Sequence, residues 1–200
     1  MKIILYCVAV ALAVVTAIGY VVGKGWEEEA RVGQIQLSKS QLVALWSEQA
    51  KAGDPEAQYQ LGRYYDRDRV DYLTAQKWYR VAATRGNHAG AQYKLGQLYL
   101  NGRGVENNLP NAMMWFRKAA EGGDARGQYF LGVSQRDGWE RKPDFIEAYK
   151  WFLLANRDPE LVLGEEARFD PQKALLELDA VMSEFDRAEA QKRADKWQPR

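Results

Sequence analysis

The feature that most restricts this chain is self-similarity. Gln58, Gln92 and Gln128 stand 34 and then 36 residues apart, and the same steps separate Tyr59, Tyr93 and Tyr129, Leu61, Leu95 and Leu131, and Gly62, Gly96 and Gly132. Trp78, Trp115 and Trp151 follow at 37 and 36. A period in that range marks a helical solenoid, in which each unit is a helical pair that buries its apolar face only by stacking on its neighbours. The stretch Ala91 to Asp124 gives the unit in its fullest form: two amphipathic helices joined by a glycine-rich turn.

Each copy repeats the same division of labour. In the first helix Ala57, Ala91 or Gly127 precedes the Gln-Tyr pair, and four positions on stands Leu61, Leu95 or Leu131, so small residue and leucine share a stripe. A glycine follows each leucine. Glycine inside a helix costs about 1 kcal/mol relative to alanine, so its return at one position implies that helices approach closely there. The second helices set aromatics beside alanines: Trp78, Tyr79, Ala82; Trp115, Phe116, Ala119; Trp151, Phe152, Ala155. Large against small lets neighbouring helices interdigitate.

The repeats run from Asp54 to Gly86, Asn87 to Gly123 and Asp124 to about Asn156. The turn of the second, Asn101-Gly102-Arg103-Gly104-Val105, has glycines that take positive φ; the first is three residues shorter between Gly62 and Trp78, and the third has Asp137-Gly138-Trp139 and Pro143. Before them, Ser38 or Ser40 caps a helix running to Ala52, with Trp46 in the aromatic position of a second helix; Gly53 ends it, Asp54 caps the next and Pro55 takes N1. After them, Asp158-Pro159 and Asp170-Pro171 start helices, and Ala174, Leu175, Leu178, Val181 and Met182 form a stripe. Ser183 to Asp186 fits a capping box, followed by Ala188, Ala190, Ala194 and Trp197.

These motifs resemble the Sel-one-like repeat (SLR) family, relatives of the tetratricopeptide repeats, over about Gln41 to Asn156. The second repeat matches through Ala91, Leu95, Gly96, Tyr99, Gly102, Gly104, Val105, Ala112, Trp115, Phe116, Ala119, Ala120 and Gly123; the first lacks the turn glycines, and the third has Gln135 where a tyrosine belongs. A plain tetratricopeptide array is the alternative, but its regular 34-residue period fits poorly. The resemblance implies an α/α superhelix that binds proteins, often in bacterial envelope complexes, with a C-terminal helix pair covering the last repeat.

Ile3 to Gly23 is an uncharged apolar run of 21 residues. As a helix it spans roughly 30 Å, the hydrocarbon thickness of a bilayer, and it is longer than the h-region of a cleaved signal peptide, the rival reading. The expected fold class is therefore all-α: an α/α superhelical solenoid of Sel-one-like repeats with an N-terminal transmembrane helix and a C-terminal capping helix pair. Residues 1–24 would be the anchor, 25–37 a linker, 38–156 the solenoid of a half repeat plus three repeats, and 157–200 the cap. The basic head at Lys2 would stay in the cytoplasm, giving an inner-membrane, single-pass protein anchored through residues 3–23 with a periplasmic C-terminal domain.

Chemistry is sparse. With 28 Lys and Arg against 27 Asp and Glu, the net charge of +1 argues against a nucleic-acid partner. Cys7 is the only cysteine and lies in the apolar run, so the globular part has no disulfide or thiolate metal site. His88, the one histidine, reads as an exposed loop or first-turn residue without metal-ligating companions. Asp66, Asp68 and Asp71 lack the glycine and glutamate of a calcium loop and read as a solvated turn. No catalytic, cofactor-binding or metal site is expected, nor a small-molecule substrate.

The expectation is a membrane-anchored, non-enzymatic scaffold or adaptor of the bacterial cell envelope; the alternative is a cell-wall-related hydrolase built on the same solenoid. A protein partner would bind the inner curve lined by the first helices. Gln60, Lys94 and Phe130 share one variable position there and Arg63, Gln97 and Val133 another, three residues on and on the same face. Phe130 and Val133 would either expose an apolar patch or pack under the C-terminal helices.

Overall fold

The computed structural model describes residues 37–199. Among these the chain forms ten α-helices and no strand: α1 Lys39–Lys51, α2 Pro55–Arg67, α3 Tyr72–Arg85, α4 Ala89–Asn101, α5 Leu109–Glu121, α6 Ala125–Asp137, α7 Phe145–Ala155, α8 Pro159–Leu163, α9 Pro171–Asp179 and α10 Glu184–Asp195. Helices α2 and α3, α4 and α5, and α6 and α7 pair within repeats, while α3 meets α4 and α5 meets α6 between them. The result is an all-α solenoid of short helical repeats.

Local chemistry sets the boundaries. Asp54, Asp71, Asn108, Asp124, Asp144, Asp158, Asp170 and Ser183 each accept a backbone N–H of the first helical turn, satisfying a donor that has no intrahelical partner. Gly102 and Gly138 end α4 and α6 at φ 65° and 70°, a conformation that a side chain disfavours. The helical glycines mark close approach: a Cβ on Gly132 would lie 2.5 Å from the Phe152 ring, and Gly62 faces Tyr79 in the same way.

The core sits between paired helices. Tyr79, Tyr93, Phe116 and Phe152 are its largest fully buried side chains, set among Ala82, Ala119 and Ala155. Val43, Trp46 and Ala50 of α1 pack with Ala57, Leu61 and Trp78. At the other end α9 and α10 both lie on α7, where Ala190 and Ala194 are buried and Trp197 meets Trp151 edge-on at 6.3 Å. Val181 does not join the stripe expected for it: α9 stops at Asp179, Met182 turns inward instead, and Val181 is 66% exposed.

One expectation needs correction. No helix among the described residues is long and apolar enough to cross a membrane, since the helices that stack here are 5 to 14 residues long. The fold of the described residues is the solenoid without a transmembrane helix, and the single-pass inner-membrane placement with a periplasmic domain is not supported. The run 3–23, on which the anchor and the membrane contact rested, lies outside the described residues.

Candidate functional site

The first helices α2, α4 and α6 carry a strip of aromatic and charged side chains that links all three repeats. Its centre is Arg126, in the first turn of α6. The N-cap Asp124 turns back on it, accepting from Nη2 at 2.6 Å and Nε at 3.1 Å. The guanidinium lies 4.5 Å from the centroid of the Tyr93 ring on α4, and its Nη1 reaches the Tyr59 hydroxyl on α2 at 3.5 Å. Gly90 makes this reach possible: a Cβ there would meet Arg126 Nη2 at 3.1 Å and Tyr59 Cζ at 3.2 Å. Where the flanking repeats have Glu56 and Arg126, the middle one has only a hydrogen.

The strip closes on Glu165, in the segment between α8 and α9. Lys94 Nζ donates to its Oε2 at 2.7 Å and Arg126 Nη1 to its Oε1 at 3.0 Å, with Arg67 Nη2 3.6 Å from Oε2. The side chains of Lys94, Arg126 and Glu165 are only 4%, 7% and 10% exposed. Burial pushes the Lys94 ammonium down to about 8, against the opposing pull of Glu165. Burial would raise the Glu165 carboxyl, but Lys94 and Arg126 outweigh it and hold the group below the ordinary carboxylate value. The two shifts fit together because Lys94 is the more deeply enclosed partner. Burial also opposes charge on Arg126, yet the hydrogen bonds and charge of Asp124 keep it above the ordinary arginine value. The arrangement recognises a carboxylate; it does not set a nucleophile beside a base.

The six residues expected to meet a partner fall into two groups. Gln60 and Arg63 are half-buried on α2, where Gln60 donates to Glu56 at 2.6 Å and Arg63 to Gln60 at 3.3 Å. Lys94 is buried on Glu165, and Gln97 bridges it (3.0 Å) to the Tyr93 hydroxyl (2.6 Å). Phe130 is buried, stacked on Phe116 at 4.6 Å and covered edge-on by Phe169 at 5.2 Å. Val133 is partly buried against the same core. A partner arriving at Lys94 and Phe130 therefore meets the segment of Glu165 and Phe169 first.

Sequence reasoning gave no role to Arg126, Glu165 or Phe169, used Asp124 only as a repeat boundary and read His88 as an exposed loop or first-turn residue. His88 is not a bystander: Nδ1 accepts the Ala91 N–H at 3.1 Å as N-cap of α4, which leaves the ring proton on Nε2 to meet Glu56 at 2.8 Å, and the ring stacks on Tyr59 at 4.5 Å. Its alignment with Asp54 and Asp124 was the available signal. Asp71 caps α3 through Thr74, and Asp66 accepts from the Tyr79 hydroxyl at 3.2 Å. Among the described residues no group of three or more His, Cys, Asp or Glu could hold a metal ion.

Comparison with known proteins finds a family model over the three repeats. The Sel1 repeat model matches residues 55–87, 89–124 and 125–158. A protective antigen of uropathogenic Escherichia coli strains that displays an SLR fold superposes over 87% of this chain and 35% of its own, with TM-score 0.67 and 27% identity. A Sel1 repeat protein from Oxalobacter formigenes superposes over 68% of this chain and 97% of its own, with TM-score 0.55 and 30% identity. Among curated proteins, chitin synthase regulatory factor 3 of Schizosaccharomyces pombe is 26% identical over 90% of this chain, and the alginate biosynthesis protein AlgK of Azotobacter vinelandii 39% identical over 35% of it. The chain spans 19% and 16% of those two relatives' lengths. Three consecutive repeats, matched over more than half of its length, place this chain in the Sel1 repeat family.

Proposed function

We propose that this protein is a non-enzymatic interaction scaffold that holds a partner protein along the inner strip of α2, α4 and α6. In this reading residues 38–156 present the surface and residues 157–200 cap it. The observation that carries the proposal is the convergence of Arg67, Lys94 and Arg126 from three successive repeats onto one carboxylate, with Tyr59 and Tyr93 set against the Arg126 guanidinium. A helical array has no need to gather charge on its inner side in order to stack, and buried charge is unfavourable unless it is paired. Two of the curated relatives have names tied to polysaccharide synthesis, one of them as a regulatory factor, which supports a role beside an enzyme assembly. Gln60, Arg63 and Gln97 form the accessible margin of the proposed surface, with Lys94, Phe130 and Val133 beneath it.

The experiment is in-cell photo-crosslinking from Gln60, Arg63 and Gln97, with outward positions Lys77 and Lys118 as controls. The inner positions are expected to give one discrete adduct that Arg63→Glu reduces at least fivefold without changing the melting temperature. Adducts from the control positions alone would refute an inner binding face.

A further inference from the structure

The inner strip is occupied by the chain itself, which adds to the scaffold reading and depends on it. After α8 the backbone runs from Gly164 to Asp170 without helix or strand, held by Glu165 N–H to the Val162 carbonyl and Phe169 N–H to the Glu166 carbonyl. Two side chains four residues apart dock it. Glu165 enters the cationic site made by Arg67 of α2, Lys94 of α4 and Arg126 of α6. Phe169 lies on Phe130 and Tyr129 of α6, at centroid distances of 5.2 and 5.7 Å. Glu166, Ala167 and Arg168 between them are exposed.

We propose that residues 164–169 are an internal ligand, and that the partner segment this groove accepts is an extended peptide of the same chemistry: a glutamate followed four positions later by an aromatic residue, which displaces it. Three observations converge. The contacts of the docked segment with the three first helices are made by side chains, so release breaks no regular backbone ladder. A buried ion pair adds little net stability, because desolvating both charges offsets their attraction, but it selects strongly for one sign of charge. And the groove does not end at Glu165: it continues as a cleft of about 500 Å³ lined by Asp66, Arg67, Lys94, Gln97 and Arg103, and by Glu166 and Arg168 of the segment itself, with room for residues flanking the glutamate.

Tethering gives the segment an effective concentration on the order of mM. A free peptide sees only the open fraction of the protein, and its apparent affinity falls by that fraction. Opening the groove by mutation therefore raises affinity without adding a contact.

The test uses the 200-residue chain and an end-blocked, dye-labelled peptide copying residues 164–170, followed by fluorescence anisotropy. The native protein is expected to bind it weakly, Glu165→Gln at least threefold more tightly, and the double variant Glu165→Gln/Phe169→Ala at least tenfold more tightly. Adding Lys94→Glu to the double variant removes the gain, and a peptide with Gln and Ala in place of its first Glu and its Phe binds at least tenfold more weakly than the original. Circular dichroism checks that each variant is folded; Glu165→Gln, which keeps the Phe169 anchor, gives the reading if the double variant is not. Folded variants that bind no better than the native chain, or equal binding of the two peptides, overturn the internal ligand. The photo-crosslinks from Arg63 and Gln97 are scored separately, so their survival alongside a negative peptide result removes this inference and leaves the scaffold reading in place.

Discussion

Gly96 of α4 lies directly under the ring of Phe116 of α5: a methyl group on its α-carbon would stand 2.5 Å from Cε1 and 2.6 Å from Cδ1. Phe116 is fully buried and also stacks on Phe130, so the ring has no free direction in which to move. Two effects compete in Gly96→Ala. Helix propensity favours alanine by about 1 kcal/mol, while overpacking a full core costs about 1–3 kcal/mol. The clash wins, with a net loss of up to about 2 kcal/mol, or up to roughly 8 °C in melting temperature for a domain of this size. Thermal melts of Gly62→Ala, Gly96→Ala and Gly132→Ala should all shift downward, and an unshifted melt would show that close approach is not what the glycine serves.

The repeated glutamines close a different account. Gln58, Gln92 and Gln128 are buried, and each donates Nε2 to a carbonyl in the last turn of the preceding repeat's second helix: Ala50 at 3.1 Å, Ala83 at 3.3 Å and Ala120 at 3.4 Å. Those carbonyls are among the four that a helix end leaves without an intrahelical partner. The glutamine ties one repeat to the next; the Ala50 and Ala120 carbonyls also accept the Gly53 and Gly123 N–H, whereas at Ala83 the glutamine fills the place such a bond would take. Gln92→Leu keeps the size but leaves the Ala83 carbonyl buried and unpaired, and Asn87 also loses a 2.8 Å partner. Removing such a bond is expected to destabilise by about 1–3 kcal/mol, measured by denaturant titration. A loss below about 0.5 kcal/mol would assign the glutamine to packing alone.

These two devices are legible in the sequence because they recur: the period alone sets Gly96 in register with Gly62 and Gly132. Asp54, Pro55, Asp170 and Ser183 were legible for another reason, since capping depends on residues within one turn. What repetition and local chemistry do not reach is contact made once between distant parts of the chain. Lys94 and Glu165 are 71 residues apart, and Tyr59 and Arg126 are 67 apart. Neither pair has a counterpart in another repeat. Phe130 was legible as a variable position, but its cover, Phe169, lies outside the repeats. Val181 misled because its spacing continued a helical stripe beyond the residue at which the helix stops.

The Lys94–Glu165 pair calls for a double-mutant cycle. Lys94→Met leaves Glu165 with Arg126 at 3.0 Å and Arg67 at 3.6 Å, so the carboxylate remains paired. Glu165→Gln leaves the Lys94 ammonium with no anionic partner, only a neutral Gln97 contact at 3.0 Å and the Tyr93 ring at 5.3 Å, with the positive charge of Arg126 nearby. The glutamate substitution should therefore cost more than the lysine substitution. The double variant should cost less than the sum of the singles by about 1–3 kcal/mol, within the range measured for residues in direct contact. Additive losses would mean that the 2.7 Å contact carries no coupling.

Acid tests the same carboxylate from the other side. The hydrogen bonds of His88 and Gln60 hold the Glu56 carboxyl below its ordinary 4.5 despite partial burial. Glu165 is also held below 4.5: burial would raise it, and Lys94 and Arg126 more than offset that. A carboxylate whose folded value is lowered gives the unfolded chain the greater proton affinity, so its contribution is fully present above about 4.5 and is lost as pH falls through the folded value. Lys94 acts in a separate window: lowered by burial from 10.5 to about 8, its charge disfavours the folded state most at neutral pH and below, and that penalty lifts as pH rises from about 8 to 10.5. The melting temperature should therefore fall as pH drops below about 4.5, and the fall should be shallower in Glu165→Gln, which has no proton to gain at that site. An acid limb of equal slope in both proteins would show that Glu165 is not held as a carboxylate between Lys94 and Arg126, and the ion pair that closes the inner strip would have to be abandoned.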